Sequence, residues 1–500
     1  MTEKCVVLDE PRVEFRFGQA MIDPRDGLTL FGPHSTDSAS HPRTVTYAVL
    51  GTRDGIAALK SWSSRINKPV LSEPELRVEL WPHFPGFEAA FCSAWPKLPA
   101  WEFEIERTEL LTASRDLDPN KRAYDLVNAY LNGMRIAIKR DDDFSVFICV
   151  VPDEVWLNCR TMSRVIGGTG FRPSKLEVFQ RRQGQDLLFE TYDPEQYELS
   201  VDFRRQLKAR AMEYRIPIQI IRESTLSLTP SSDTNDRRLT PMSDRAWNLG
   251  TTLFYKAGGK PWRLATAREG VCYIGIVFRR TGSGEDSRTA CCAAQMFLDS
   301  GDGIVFLGEF GPWYSPKYHD FHLTPHAARN LLAGVLQTYR DLGGQKLTEI
   351  FLHSRSSISS EEFAGYKSAC PEGVRLTGIR VRLDRRGFRL FREGSRPVIR
   401  GTFLKTSERS GYLWASGFKP KLRTYDGWEV PVPLEIDVQH GIESIEQVAT
   451  DVFGLTKLNY NACHLGDSQP VTILFSNAVG EILVSNPTVP TRLANFKFYI

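Results

Sequence analysis

Two cations and an amide stand at a spacing that suits a phosphate. Arg204 and Lys208 lie four residues apart in FRRQLKARAMEY (203–214), so on a helix they share one face, and Gln219 follows on the next strand or loop. A phosphate bound there would take charge-assisted bonds from the guanidinium and the ammonium and a neutral one from the amide. The alternative is a solvated basic helix face, the ordinary reading of RRQLKAR taken alone. Other chemistry is thinly supported. His319, His322 and His326 are split by Pro325 and a helix start, and neither they nor His353 and His464 are aligned as metal ligands by a regular element. The glycines at 167–170 (GGTG) lack both the dinucleotide fingerprint and the Gly-Lys-Ser/Thr ending of a P-loop, so they read as a surface loop. Nothing resembles a nucleophile elbow.

The elements that must position these residues fall into two patterns. A Ser/Thr/Pro/Asp/Asn-rich stretch at 227–243 has no apolar periodicity and marks a boundary, giving domains over 1–240 and 241–500. Before it, a helix over 122–130, a continuous apolar strand over 144–151, a helix over 202–214 and a strand over 216–222 alternate. That alternation predicts an α/β, Rossmann-like domain with a mainly parallel sheet. After the boundary, 271–280, 288–298 and 303–310 read as three strands joined by short turns. A helix follows, with Thr324 as cap, Pro325 in its first turn and Gly343 past its end; then come a strand (348–353), a helix (359–369) and a strand (374–383). This is the order of a ribonuclease H-like fold.

A nuclease of that fold needs several carboxylates converging on two metal ions. The first strand, VCYIGIVFRR, has none, and Val277 stands where an acid is expected. The strand after the long helix leads into Ser354 to Ser356, again without an acid, and Glu309 alone cannot hold two metals. The second domain is therefore expected to lack nuclease activity.

The chain has 500 residues, too many for one core, with 41% hydrophobic and 25% charged residues, an ordinary globular balance. Apolar runs such as SVFICVVP are strand length, short of the roughly 20 residues of a membrane span. The start, MTEKCVVLDEPR, shows no leader pattern, and the nine scattered cysteines form no C-x-x-C pair, so a cytoplasmic protein with reduced, buried thiols is expected. Net charge is +3, but 375–423 holds fourteen Lys/Arg against three acids, about +11, leaving about −8 elsewhere. Phe388, Phe391, Phe403, Tyr412, Trp414 and Phe418 are interleaved with these cations. Cations with rings suit a nucleic-acid channel; the alternative is a strand face whose aromatics pack inward.

Several stretches are specific: DPRDGLTLFGP (23–33), QLKARAMEYRIPIQIIRESTL (206–226), YKAGGKPWRL (255–264), ACCAAQMFLDSGDGIVFLGEFGPWY (290–314), LTKLNYNAC (455–463) and the terminal FKFYI (496–500). With them the chain resembles the short prokaryotic Argonautes, which retain only the MID and PIWI domains, nearly end to end. The resemblance implies a guide 5′-phosphate pocket formed by Arg204, Lys208 and Gln219, joined by Lys256 of the KxGG segment. It also implies a Mg²⁺ ion between that phosphate and the C-terminal carboxylate of Ile500. The chain resembles the inactive branch, with Val277, the Ser354 to Ser356 region and Asn459 at positions where active members carry acids. The implied partners are a small guide RNA, single-stranded target DNA, and an APAZ-containing effector with a TIR or sirtuin-like NADase, in defence against plasmid or phage. The competing readings are a guide-directed nuclease and a non-specific single-strand binder.

Overall fold

A computed structural model describes residues 4–140, 142–165, 198–228, 240–280, 290–298, 303–315, 320–384, 386–425, 427, 429–486 and 488–500. In the first half, four strands form one parallel sheet in the order Trp101–Glu104, Tyr47–Gly51, Val146–Val151, Ile218–Arg222. The two middle strands, YAVLG and VFICVV, are buried at every position, because helices cover both faces and leave no polar side to alternate. Arg53–Ile66, Pro119–Ala137 and Phe203–Ala211 supply that cover, each started by a side chain that satisfies free N–H groups: Thr52, Asp118 and Asp202. The Rossmann-like expectation holds. The helix expected over 122–130 is longer because Asp118 caps it and Pro119 fits its first turn.

The second half is built on a nine-stranded sheet. Its order is Lys4–Val7, Thr402–Lys405, Ser410–Trp414, Leu434–His440, Arg375–Leu383, Glu349–Ser354, Val271–Arg280, Ala290–Leu298, Gly303–Gly311. The last three make an antiparallel meander, while Val271–Arg280, Glu349–Ser354 and Arg375–Leu383 run parallel, as the ribonuclease H-like order requires. Strand alternation divides the first strand between two cores. Cys272, Ile274 and Ile276 pack with Leu331 and Val335 of the Pro325–Asp341 helix, and Val271, Tyr273 and Val277 pack with Val479, Ile482 and Leu483 of the Ser476–Val484 helix. Gly275 admits the backbone of the Val471–Leu474 helix on that second face: a Cβ there would lie 2.1 Å from the Thr472 carbonyl oxygen.

The N-terminal segment departs from the expected division at 240. Lys4–Val7 is a strand of the large sheet, paired with Thr402–Lys405, and Val13–Glu14 pairs with Arg263–Leu264. Charge explains this attachment. Arg400 and Lys457 have fully buried side chains, and the Glu10 carboxylate reaches both, at 3.1 Å and 2.5 Å. Buried cations need such a counter-ion, and burial still lowers the Lys457 pKa to about 8.

No described helix is long and apolar enough to cross a membrane. Of the cysteines, Cys149, Cys159, Cys272 and Cys463 are buried, but Cys5 and Cys92 are exposed, contrary to expectation.

Candidate anion-binding site

The Phe203–Ala211 helix starts at Asp202, whose carboxylate accepts from the Arg205 N–H, and it turns Phe203, Leu207 and Ala211 onto the sheet. Lys208 sits one residue from that apolar stripe and is carried inward, 3% exposed. Its ammonium donates to the Tyr499 carbonyl at 3.2 Å. Lys256 ends the Met242–Lys256 helix at 1% exposure and donates to the Ile218 carbonyl and to Gln219 Oε1, both at 2.7 Å. Neutral oxygens are the only acceptors described for these two ammoniums.

The electrostatics show the consequence. Desolvation, then the charges of Arg204 and Lys256, hold the Lys208 pKa well below its usual value. Desolvation and Arg204 bring Lys256 down to about 7. Arg204 is exposed as a residue, yet desolvation by the surrounding protein is the main cause that lowers its guanidinium pKa. Asp202 and Glu481 act on Arg204 from the same cavity, but no described carboxylate is bonded to either lysine, so the three basic side chains form a site that added negative charge would complete.

Arg204 and Lys208 line a cavity of about 130 Å³, closed on one side by Trp156 and Cys159 and on the other by Ala478, Glu481 and Ile482 of the second half. That volume suits a phosphate-sized group rather than a drug-sized ligand, whose pockets run ~300–1,000 Å³. Gln219 and Lys256 are not on the cavity wall; they stand beside Lys208 as a bonded pair. Ile500 is buried, and the bond from Lys208 to the Tyr499 carbonyl brings its neighbour Tyr499 to the site. A larger cleft of about 810 Å³ follows the glycine-rich segment 258–270, shares none of this lining and mixes both signs of charge.

Two residues that hold the halves together here were not anticipated. Glu481 pairs with Arg205 at 2.7 Å, and Asn486 accepts from the Ser200 N–H at 3.2 Å. Both lie in or just after the apolar stretch SNAVGEILV, where no local pattern separates a domain clamp from a surface polar residue.

The positions expected to have lost acids are not equivalent. Val277 is buried in the wall shared with Val479 and Ile482. Ser354 is level with Ile276, and strand alternation puts it on the opposite face of the sheet from Val277; its Oγ accepts from the Ser356 N–H and ends the strand. On Val277's own face the neighbouring strand carries His353, fully buried against Thr472 Oγ1 at 2.9 Å, its pKa pushed down to about 3 by burial. Asn459 uses its side chain to accept from the Asn461 N–H in a turn, whereas Val471–Leu474 and Ser476–Val484 pack on Val277's face of the first strand.

The basic stretch is largely neutralised. Arg375 pairs with Glu349, Arg380 with Asp437, Arg382 with Glu435, Arg400 with Glu10, Lys421 with Asp26 and Arg423 with Glu79. A local charge count missed these acids because folding delivers them from elsewhere in the chain. Of the rings, Phe403, Trp414 and Phe418 are buried. His322 faces Glu362 and His326 faces Asn330, and no described group of three or more His, Cys, Asp or Glu could hold a metal. His319 and the glycines at 167–170 lie outside the described residues.

Solved structures share this fold over nearly the whole chain. Clostridium butyricum Argonaute bound to a guide DNA and a 19-mer target DNA superposes with a TM-score of 0.61 at 13% identity, over 100% of this chain and 55% of that one. The chain has an Argonaute fold. Drosophila Piwi gives a TM-score of 0.58 at 13% identity over 99% of this chain and 56% of its own, and A. aeolicus Argonaute gives 0.53 at 14% over 99% and 54%. The chain thus spans about half the length of the Argonautes it matches. No protein-family model and no curated protein matches it.

Proposed function

We propose that this chain binds the 5′-phosphorylated end of a guide strand at Arg204 and Lys208, with Lys256 and Gln219 supporting Lys208 from the side. The observation that carries the reading is the buried cation cluster, in which Lys208 and Lys256 have only neutral acceptors among the described residues. A phosphate would supply the absent charge and accept the strong bonds that the cluster can donate. The matched Clostridium butyricum protein holds a guide and a target strand, in line with this use of the fold.

In this reading the guide is a small RNA and the target single-stranded DNA. The Ile500 carboxylate and the Tyr499 carbonyl are hard oxygen donors of the type Mg²⁺ prefers, so the residues fit an ion at the guide end. Such an ion would add positive charge beside the phosphate. The apolar Val277, with no acid from 271 to 280, supports a chain that does not cut its target. Activity would then belong to an APAZ-containing TIR or sirtuin-like NADase partner, switched on by target binding in defence against plasmid or phage. Coupling of that kind requires the guide–target duplex to favour the active assembly over the inactive one.

Lys208→Ala tests the pocket. Expected is weaker binding of 5′-phosphorylated RNA by about 1.5–3 kcal/mol with 5′-hydroxyl RNA unchanged. Equal weakening of both would mark a non-specific binder, and guide-directed DNA cleavage by the chain alone would restore the nuclease reading.

A further inference from the structure

The loop 386–397 joins the Arg375–Leu383 and Thr402–Lys405 strands. Arg375–Leu383 runs parallel to Glu349–Ser354 and Val271–Arg280, so the loop leaves the sheet at the edge toward which Val277 points its strand, two strands away. In open α/β sheets, ligands gather at the carboxyl ends of parallel strands.

The loop is firmly held. The buried Asp384 carboxylate accepts from the N–H groups of Arg386 at 3.0 Å and Phe388 at 2.6 Å. Phe388 stacks on Tyr412, with centroids 4.7 Å apart and planes at 17°, and Leu390 packs against Val398, Leu404 and Trp414. Beside these anchors, Phe391 is left 74% exposed. An anchored loop that presents a bare ring loses little entropy when something stacks on it.

The cations beside Phe391 differ from the rest of the basic stretch. Arg392 and Arg396 both face the Phe418 ring, at 5.9 Å and 4.7 Å, and Arg392 Nε donates to the Arg396 carbonyl at 3.2 Å. Among the described residues neither takes part in an ion pair, while most of their neighbours in sequence do. Two guanidiniums held over one ring make a site that an anion would relieve.

We infer that this loop grips a nucleic-acid strand, Phe391 stacking on an unpaired base and Arg392 and Arg396 holding the adjoining phosphates. The inference rests on the nucleic-acid reading above but places a second contact away from the 5′-end pocket. An acidic protein segment would answer the guanidiniums but leave the exposed ring without a role.

The test uses the full chain, Phe391→Ala, and the double variant Arg392→Ala with Arg396→Ala. A short 5′-phosphorylated RNA is titrated alone, and then complementary DNA is titrated into the RNA-loaded protein, each over a salt series. Expected for Phe391→Ala is a loss of roughly 5- to 100-fold in one of the two titrations, largely restored by Phe391→Tyr. For the double variant, the slope of log K against log salt in that same titration should fall by about 1.4, the value for two phosphates on a single strand. A loss in the first titration makes the contacted strand the guide; a loss only in the second makes it the target. Unchanged affinity in both, or weakening without a change in slope, overturns the loop assignment while leaving the pocket intact. If the unaltered chain binds no RNA, both readings fall.

Discussion

The pair Lys256 and Gln219 offers the sharpest physical test, because the same ammonium should harm the empty protein and help the occupied one. Burial and Arg204 lower its pKa from 10.5 to about 7. A lysine whose folded pKa is depressed binds fewer protons in the native than in the unfolded state, so its destabilising contribution is full below about pH 7. That contribution fades as pH rises toward the unfolded value of 10.5. At 1.36 kcal/mol per unit, the wild type should gain about 3 kcal/mol between roughly pH 6.5 and pH 9.5 from this group alone. Lys256→Met removes that slope. It also orphans the acceptors at Ile218 and Gln219, which lowers stability by a similar amount at every pH and so drops out of the comparison. The assay is urea unfolding of both proteins, free of nucleic acid, across that range. The phosphate-bound protein gives the complement: near pH 7.5, binding of 5′-phosphorylated RNA should take up a proton at Lys256, read by calorimetry in buffers of different ionisation enthalpy. Parallel stability curves for the two proteins, or equal proton uptake, would refute the cation-cluster argument.

Two further outcomes test the frame around the site. Glu10→Gln leaves Arg400 and Lys457 buried without their carboxylate and should lose about 3–5 kcal/mol in urea unfolding; a loss under about 1 kcal/mol would mean the N-terminal attachment carries little of the second half's stability. Gly275→Ala sets a methyl against the Thr472 carbonyl and should lower stability by about 1–3 kcal/mol, whereas an unchanged melting temperature would show that the Val471–Leu474 helix can yield.

The sequence was most legible where local forces decide. Thr324 caps the helix it precedes, as expected, and the apolar run at Val146–Val151 is the doubly covered strand its composition implies. The strand VCYIGIVFRR spans the residues expected of it. Spacing alone put Arg204 and Lys208 on one helical face, and the fold sets both on one cavity wall.

What depended on distant chain could not be read. Only a hydrogen-bonding partner nearly 400 residues on makes Lys4–Val7 a strand of the second sheet. Counting charges over 375–423 gave an open basic surface, and ion pairing with Glu10, Asp26, Glu79, Glu435 and Asp437 reduced it to a few free guanidiniums. Within the Ser354 to Ser356 region, which residues share Val277's face is set by strand register, and register is a tertiary quantity. By itself the sequence determined the elements, their order and the residue types able to meet a phosphate. The tertiary structure decided which of those charges stay uncompensated, since desolvation and pairing depend on neighbours that only the folded chain brings together.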